Sequence, residues 1–144
     1  MPITLAVIRR TNALKHVIIA RLIAGVPLVG IATMHLLGAA PMKPILEAAK
    51  IPLPDLNAIV APIIELIAGL LILSGAFARI GAVLGCATMV VAIYAHMVAD
   101  WADEPPIVLA IAVLLAALYV LWRGGGAWSL DAASARRVPA TAAR

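Results

Sequence analysis

Long apolar runs, separated by short polar or proline-containing connections, dominate this chain. A helix needs about 20 apolar residues to cross the hydrocarbon core of a bilayer. Four runs approach that length, at residues 17–37, 56–77, 80–98 and 106–122. The pattern therefore predicts an all-α integral membrane protein, a bundle of four transmembrane helices within residues 17–131. Residues 1–16 form a flanking N-terminal segment, and residues 132–144 form a basic tail, rich in Ala and Arg, that we predict to be disordered.

The longest connection between these spans covers residues 38–55 and contains the segment PILEAAKI. Two interpretations are open for it. The segment can form a short helix lying in the membrane interface, or it can be a solvated loop.

The composition supports a membrane protein. Hydrophobic residues make up 65% of the chain and charged residues 12%, against about half and about a quarter in a soluble domain. The net charge of +4 would suggest a nucleic-acid partner in a soluble protein. Here the basic residues crowd at the ends of the apolar runs, which indicates contact with lipid headgroups and no nucleic-acid partner.

The distribution of Lys and Arg predicts the orientation of the bundle. One set of connections and termini carries eight of these residues, whereas the other set carries only Lys43 and Lys50. Because cytoplasmic segments are enriched in Lys and Arg, we expect both termini to face the cytoplasm.

Ionisable residues within the spans are the candidate functional residues. A charged group near the centre of a bilayer costs at least about 2.5–3.5 kcal/mol, so such residues usually face the interior of a bundle. Glu65, His35 and His96 each lie on a helical stripe of mostly small residues, which favours burial between helices. We predict that Glu65 is a proton-transfer and ligand-binding residue and that both histidines contact the same ligand. The alternatives are that Glu65 is protonated interhelical glue and that the histidines are hydrated helix ends.

The sequence favours structural roles for Arg21 and Cys86, and it predicts no metal site. Arg21 lies about one turn from the cytoplasmic boundary, so we expect its side chain to extend to lipid phosphates. Cys86 is the single cysteine and lies in an apolar run, which excludes an intramolecular disulfide and favours a small packing residue. The histidines and Glu65 lack the local spacing of a metal site.

The order of motifs resembles the DoxX family of small four-helix membrane proteins. The resemblance rests on RLIAGVPLVGIATMHLLGAAP at 21–41, on the LP-x(n)-ELxxGLLxLxGxxxR pattern from Leu53 to Arg79 with Glu65 as its embedded acid, and on SLD at 129–131. It implies a bacterial or archaeal cytoplasmic membrane protein linked to quinone chemistry, since relatives are subunits of thiosulfate:quinone oxidoreductase or quinol oxidase assemblies and partners of thiol and oxidative-stress enzymes. Glu65 matches the family's membrane acid and His96 its third-helix histidine. His35 departs, because the family usually has Lys there.

The functional hypothesis combines these residues with the resemblance. We expect a small subunit of a quinone-linked oxidoreductase complex, in which Glu65 and a histidine bind the quinone or quinol headgroup and exchange its protons. The chain has no haem, flavin or iron–sulfur motif, so electrons would come from other membrane, periplasmic or cytoplasmic redox subunits. A homo-oligomer is a further possible assembly. The alternatives are a non-catalytic assembly or anchoring subunit and a small-solute carrier.

Overall fold

The computed structural model describes residues 14–98 and 106–136, and these ranges contain helices and no strand. Three of the helices are long and apolar enough to cross a membrane, and a fourth, of 17 residues, lies at the short end of the usual range of about 17–25. The helices, in chain order, are α1 (Val17–Leu36), α2 (Lys43–Ala48), α3 (Pro54–Ser74), α4 (Ala78–Val98), α5 (Ile107–Arg123) and α6 (Leu130–Arg136). The prediction of an all-α membrane bundle is confirmed.

The connection after α1 and the segment after α5 each contain a short helix. The segment after the first span forms helix α2 and is not a loop, while its position in the membrane interface stays a prediction. The expected disordered tail was wrong for residues 132–136, which continue helix α6. The hydroxyl of Ser129 accepts a hydrogen bond from the Ala132 N–H at 3.1 Å and so caps this helix at its start. Residues 137–144 of the tail and residues 1–13 lie outside the described ranges.

The four long helices form a closed ring in which α1 packs on α3, α3 on α4, α4 on α5 and α5 on α1. Helix α2 lies against α3 and α4. The Ala127 N–H donates to the Leu14 carbonyl at 3.2 Å, so the two ends of the described chain meet at one end of the bundle. This agrees with an even number of crossings, while the assignment of that end to the cytoplasm stays a prediction.

Small residues fill the interior and large apolar residues cover the outside. Ala24, Ala68 and Ala117 are fully buried, whereas Ile19 and Leu115 are more than half exposed. A soluble bundle would show the opposite arrangement, because water drives large apolar side chains inward. Lipid has no such preference, so helix association depends on close packing of small residues.

Glycines bring the helix backbones into direct contact. A Cβ atom added to Gly69 of α3 would lie 3.1 Å from the Gly25 carbonyl oxygen and 2.7 Å from Val29 Cγ2 of α1. A Cβ atom on Gly81 of α4 would lie 2.9 Å from the Ala68 carbonyl oxygen of α3. Neither contact leaves room for a side chain, so α1, α3 and α4 approach as closely as their main chains allow.

We predict that Gly69→Ala destabilises the bundle by about 1–3 kcal/mol, because the new methyl group must push α1 and α3 apart. Gly30→Ala is the matched control, since a Cβ atom at Gly30 meets nothing within 4 Å and alanine favours helix. Thermal unfolding in the same detergent compares the two variants. Equal midpoints for Gly69→Ala and wild type would contradict the close approach of these helices.

Arg21 is buried and does not extend to lipid, so the expectation of a side chain at the headgroups was wrong. Its Nε donates to the Ile72 carbonyl at 2.8 Å, and Nη2 donates to the Leu73 carbonyl. Its Nη1 donates to the carbonyls of Trp128 at 2.6 Å and Gly125 at 3.2 Å. The last carbonyls of a helix have no partner within that helix. The end of α3 therefore offers acceptors that a nearby guanidinium can satisfy.

Asp131 binds the neighbouring turn between α3 and α4. Its Oδ1 accepts from the Phe77 N–H at 3.0 Å and its Oδ2 from the Ala78 N–H at 3.1 Å, which caps the start of α4. Its own N–H donates to the Gly75 carbonyl at 3.1 Å. Arg21 and Asp131 together join α1, the α3–α4 turn and the segment after α5; we call this pair, with the main chain it binds, the polar clasp.

We predict that Arg21→Gln lowers the free energy of unfolding by at least about 3 kcal/mol, because several buried carbonyls lose their donors. The midpoint of thermal unfolding should fall by roughly 6–12 °C for a chain of this size. Arg79→Gln is the control, since Arg79 donates one long bond, of 3.3 Å, to the Trp122 carbonyl. Indistinguishable midpoints for the two variants would contradict the role of the clasp.

Candidate functional site

A cavity of about 430 Å³ occupies the end of the bundle opposite the polar clasp. Its walls are formed by the second half of α1, the first half of α3, α4 from Leu84 onward and the first turns of α5, and α2 lies across its end. Ligand pockets in proteins measure about 300–1,000 Å³. The cavity is therefore large enough for a small organic molecule.

The structure brings the three residues singled out from the sequence, Glu65, His35 and His96, to the wall of this one cavity. Glu65 is only 5% exposed and lies about 16 Å along α3 from its first residue. The histidines are half-buried near the C-terminal ends of α1 and α4. Helices α1 and α4 run opposite to α3, so their ends reach the level of its first half. The roles of the three residues in binding or catalysis stay predictions.

Both histidine rings are held by main-chain carbonyls. His35 Nδ1 lies 2.7 Å from the Ala40 oxygen, and His96 Nδ1 lies 2.7 Å from the Ala92 oxygen. A carbonyl oxygen can only accept a hydrogen bond, so Nδ1 is the donor in each pair. In the neutral ring Nε2 then carries a lone pair. The hydrogen bond at Nδ1 thus fixes the orientation of each imidazole.

The remaining lining is mostly apolar, with two polar residues that the sequence analysis did not select as site residues. Thr88 donates to the Gly85 carbonyl at 3.1 Å, and Asn57 donates to the Pro52 carbonyl at 2.7 Å. Thr88 lies two turns before His96 on the same stripe, and Asn57 lies about two turns before Glu65. Thr88 was visible on the stripe of His96, and extending the stripe of Glu65 toward the start of α3 would have found Asn57. Both residues bind the main chain in this structure.

Helix α2 covers the end of the cavity with apolar side chains. After α2 the chain reverses at Lys50, whose φ of 55° lies in the left-handed region, and the Ile51 N–H donates back to the Leu46 carbonyl at 2.8 Å. This reversal is typical of helix C-termini, and it places Ile51 on the side of α2 that faces the cavity. The lining residues contributed by this segment are Met42, Ile45, Leu46 and Ile51.

The outer face of α2 is charged. Lys43 Nζ lies 2.6 Å from Asp55 Oδ1 at the start of α3 and 3.8 Å from Glu47 Oε1. The hydrogen bond to Asp55 and its negative charge raise the pKa of Lys43. These groups are solvent-exposed, so the pairs orient α2 and add little stability.

Within residues 14–98 and 106–136, no three side chains of the His, Cys, Asp and Glu types are grouped to hold a metal ion. Cys86 is half-buried and packs against the apolar core. The candidate chemistry at the cavity therefore rests on one carboxyl group and two imidazoles.

The family model described as DoxX matches residues 16–101, which is more than half of the chain. The chain belongs to the DoxX family. No curated protein and no solved structure matches it. The part that matches DoxX includes α1 to α4, and so it includes His35, Glu65 and His96. The family membership expected from the motifs is confirmed.

We predict that Ala61→Leu is tolerated, because Ala61 lines the cavity and the larger side chain can enter empty space. Ala82→Leu is the comparison, since Ala82 is fully buried in close packing and overpacking costs about 1–3 kcal/mol. Unfolding midpoints in detergent measure the difference. A loss of stability at Ala61 as large as that at Ala82 would contradict an open cavity.

Proposed function

We propose that this DoxX protein is a small membrane subunit of a quinone-linked oxidoreductase complex and that its cavity binds the quinone or quinol headgroup. The observation that carries the proposal is the meeting of one buried carboxyl group and two oriented imidazoles in a single apolar cavity. Family membership supports the same function class. The protein would lie in the bacterial cytoplasmic membrane with both termini inside, which puts the cavity in the outer half of the bilayer.

The cavity fits this class of ligand in size and chemistry. A quinone ring is flat and apolar on its faces and carries oxygen atoms at opposite edges. Leu28, Met89 and Val113 provide buried apolar surface around the space. Glu65, His35 and His96 provide hydrogen-bonding groups at its wall. Most ligand sites combine many apolar contacts with a few oriented polar groups.

The residues have distinct roles in the proposal. A bound quinone takes up two electrons and two protons when it is reduced. Glu65 exchanges one of these protons at its carboxyl oxygen and a histidine exchanges the other at a ring nitrogen, while the fixed imidazoles orient the headgroup. Fixed imidazoles need no rearrangement before they bind, which favours a defined headgroup position. The electrons come from a partner redox subunit.

A second function, a non-catalytic assembly subunit, is favoured by one observation. Arg21 and Asp131 are buried charged residues whose bonds hold the bundle together. The fold therefore uses some of its embedded ionisable residues purely for structure, and Glu65 would be another example of interhelical glue. The two functions differ in whether the cavity holds a ligand.

We predict near-stoichiometric quinone in wild-type protein purified gently from native membranes and several-fold less in Glu65→Gln. The amide preserves the shape of the side chain but cannot exchange a proton as a carboxyl group does. Glu47→Gln is the matched control, because Glu47 is exposed on the outer face of α2. Extraction followed by chromatography gives quinone per protein. Quinone at the level of the lipid background in all three proteins would reject the site and favour the assembly function.

A further inference from the structure

The exposure of the cavity lining shows where the cavity reaches the surface. Among the described lining residues, three are exposed, and all three lie on α3 or α4: Val60, Ala87 and Val91. The lining residues from α1 and α5 are buried or half-buried. The described walls of the cavity therefore open between α3 and α4, on a face of the bundle covered by lipid.

The packing of α3 against α4 explains this opening. The two backbones touch where Gly81 meets Ala68, near the polar clasp. Further along, Ala61 and Glu65 on α3 and Thr88 and Ala92 on α4 line the cavity. Alanine and threonine side chains fill little of the space between α3 and α4, and the lining there includes the exposed residue Ala87. A cleft remains between the cavity and the lipid-facing surface.

At the end of the bundle, where it faces water, the cavity is covered and not open. Helix α2 covers it with Met42, Ile45, Leu46 and Ile51, and Leu46 is only 5% exposed. The charged side chains of α2 point away from the cavity, since Lys43 pairs with Glu47 and Asp55 at the exposed surface. A polar solute arriving from water meets an apolar cover, whereas a lipid-soluble molecule meets an open cleft.

We propose that the cavity receives a tailed amphiphile directly from the bilayer, through a portal between α3 and α4 beside Val60, Ala87 and Val91. The head reaches Glu65 and the histidines, and the apolar tail remains in the cleft against lipid. This inference rests on the proposed function for the identity of the head, a quinone with an isoprenoid tail. It argues against a free water-soluble solute as the ligand.

A thiol placed in the cavity tests the portal. Cys86→Ala removes the single cysteine, and Ala92→Cys then places a thiol at the lining. In liposomes we expect an N-alkyl maleimide dissolved in the lipid to modify this thiol, and a membrane-impermeant sulfonated maleimide to react at least tenfold more slowly than it does with Glu47→Cys. Glu47→Cys, made in the same background, reports the fraction of outward-facing molecules.

Matched substitutions on α4 then locate the route. Ala87→Trp should slow the alkyl maleimide several-fold, because the indole fills the portal. Val90→Trp should leave the rate unchanged, since Val90 is exposed to lipid but does not line the cavity. Rapid reaction with the sulfonated reagent, no reaction with either reagent, or equal rates in the two tryptophan variants would each overturn the portal.

Protection of the Ala92→Cys thiol by quinone tests the proposed function separately from the portal. A long-tailed quinone should protect the thiol of Ala92→Cys from the alkyl maleimide, and a saturated lipid of equal tail length should not. Modification through the portal without protection by quinone would reject the quinone headgroup while leaving access from lipid intact. Protection by quinone together with rapid access of the sulfonated reagent would reject the portal alone.

Discussion

The guanidinium group of Arg21 binds carbonyls at the end of α3 and in the segment after α5, and the fold depends on this set of hydrogen bonds. A buried cation is tolerated only where its donors are satisfied. Here the acceptors are main-chain carbonyls, which include groups that the end of a helix leaves unpaired. Asp131 complements the arrangement by capping the start of α4. One end of the bundle is therefore fixed by polar bonds that lipid cannot replace.

The tight packing at the clasp end of the bundle allows a cavity at the other end. Gly25, Gly69 and Gly81 hold three helices in backbone contact within the clasp half of the bundle. Beyond these contacts the residues that line the space between the helices include small ones such as Ala61, Thr88 and Ala92, and a cavity of about 430 Å³ remains. Tight packing near the clasp provides the stability, so the other end can remain hollow and serve a ligand. Stability and the candidate function are thereby assigned to different ends of the same four helices.

Each feature of the candidate site would alone be weak evidence for a bound ligand. A buried ionisable residue can be purely structural, as Arg21 and Asp131 show at the other end of the bundle. Glu65, however, lines a cavity with two histidines whose rings are oriented by the carbonyls of Ala40 and Ala92. The apolar face of α2 covers the end of that cavity, while the exposed residues of the cavity lining lie between α3 and α4. Together these features favour a ligand that dissolves in the membrane and has a polar, proton-exchanging head.

The sequence by itself determined the four spans, the inward faces of Glu65, His35 and His96, and the DoxX family, because helical periodicity and motif order are local properties of the chain. It did not determine the partner of Arg21, which depends on carbonyls more than 50 residues away. The sequence also left helix α2 as one of two alternatives and gave no sign that α6 would form. Only the tertiary structure decided that the polar residues share one cavity and where that cavity opens. Those properties depend on how far apart the packed helices lie, and distances between helices follow from contacts between remote segments.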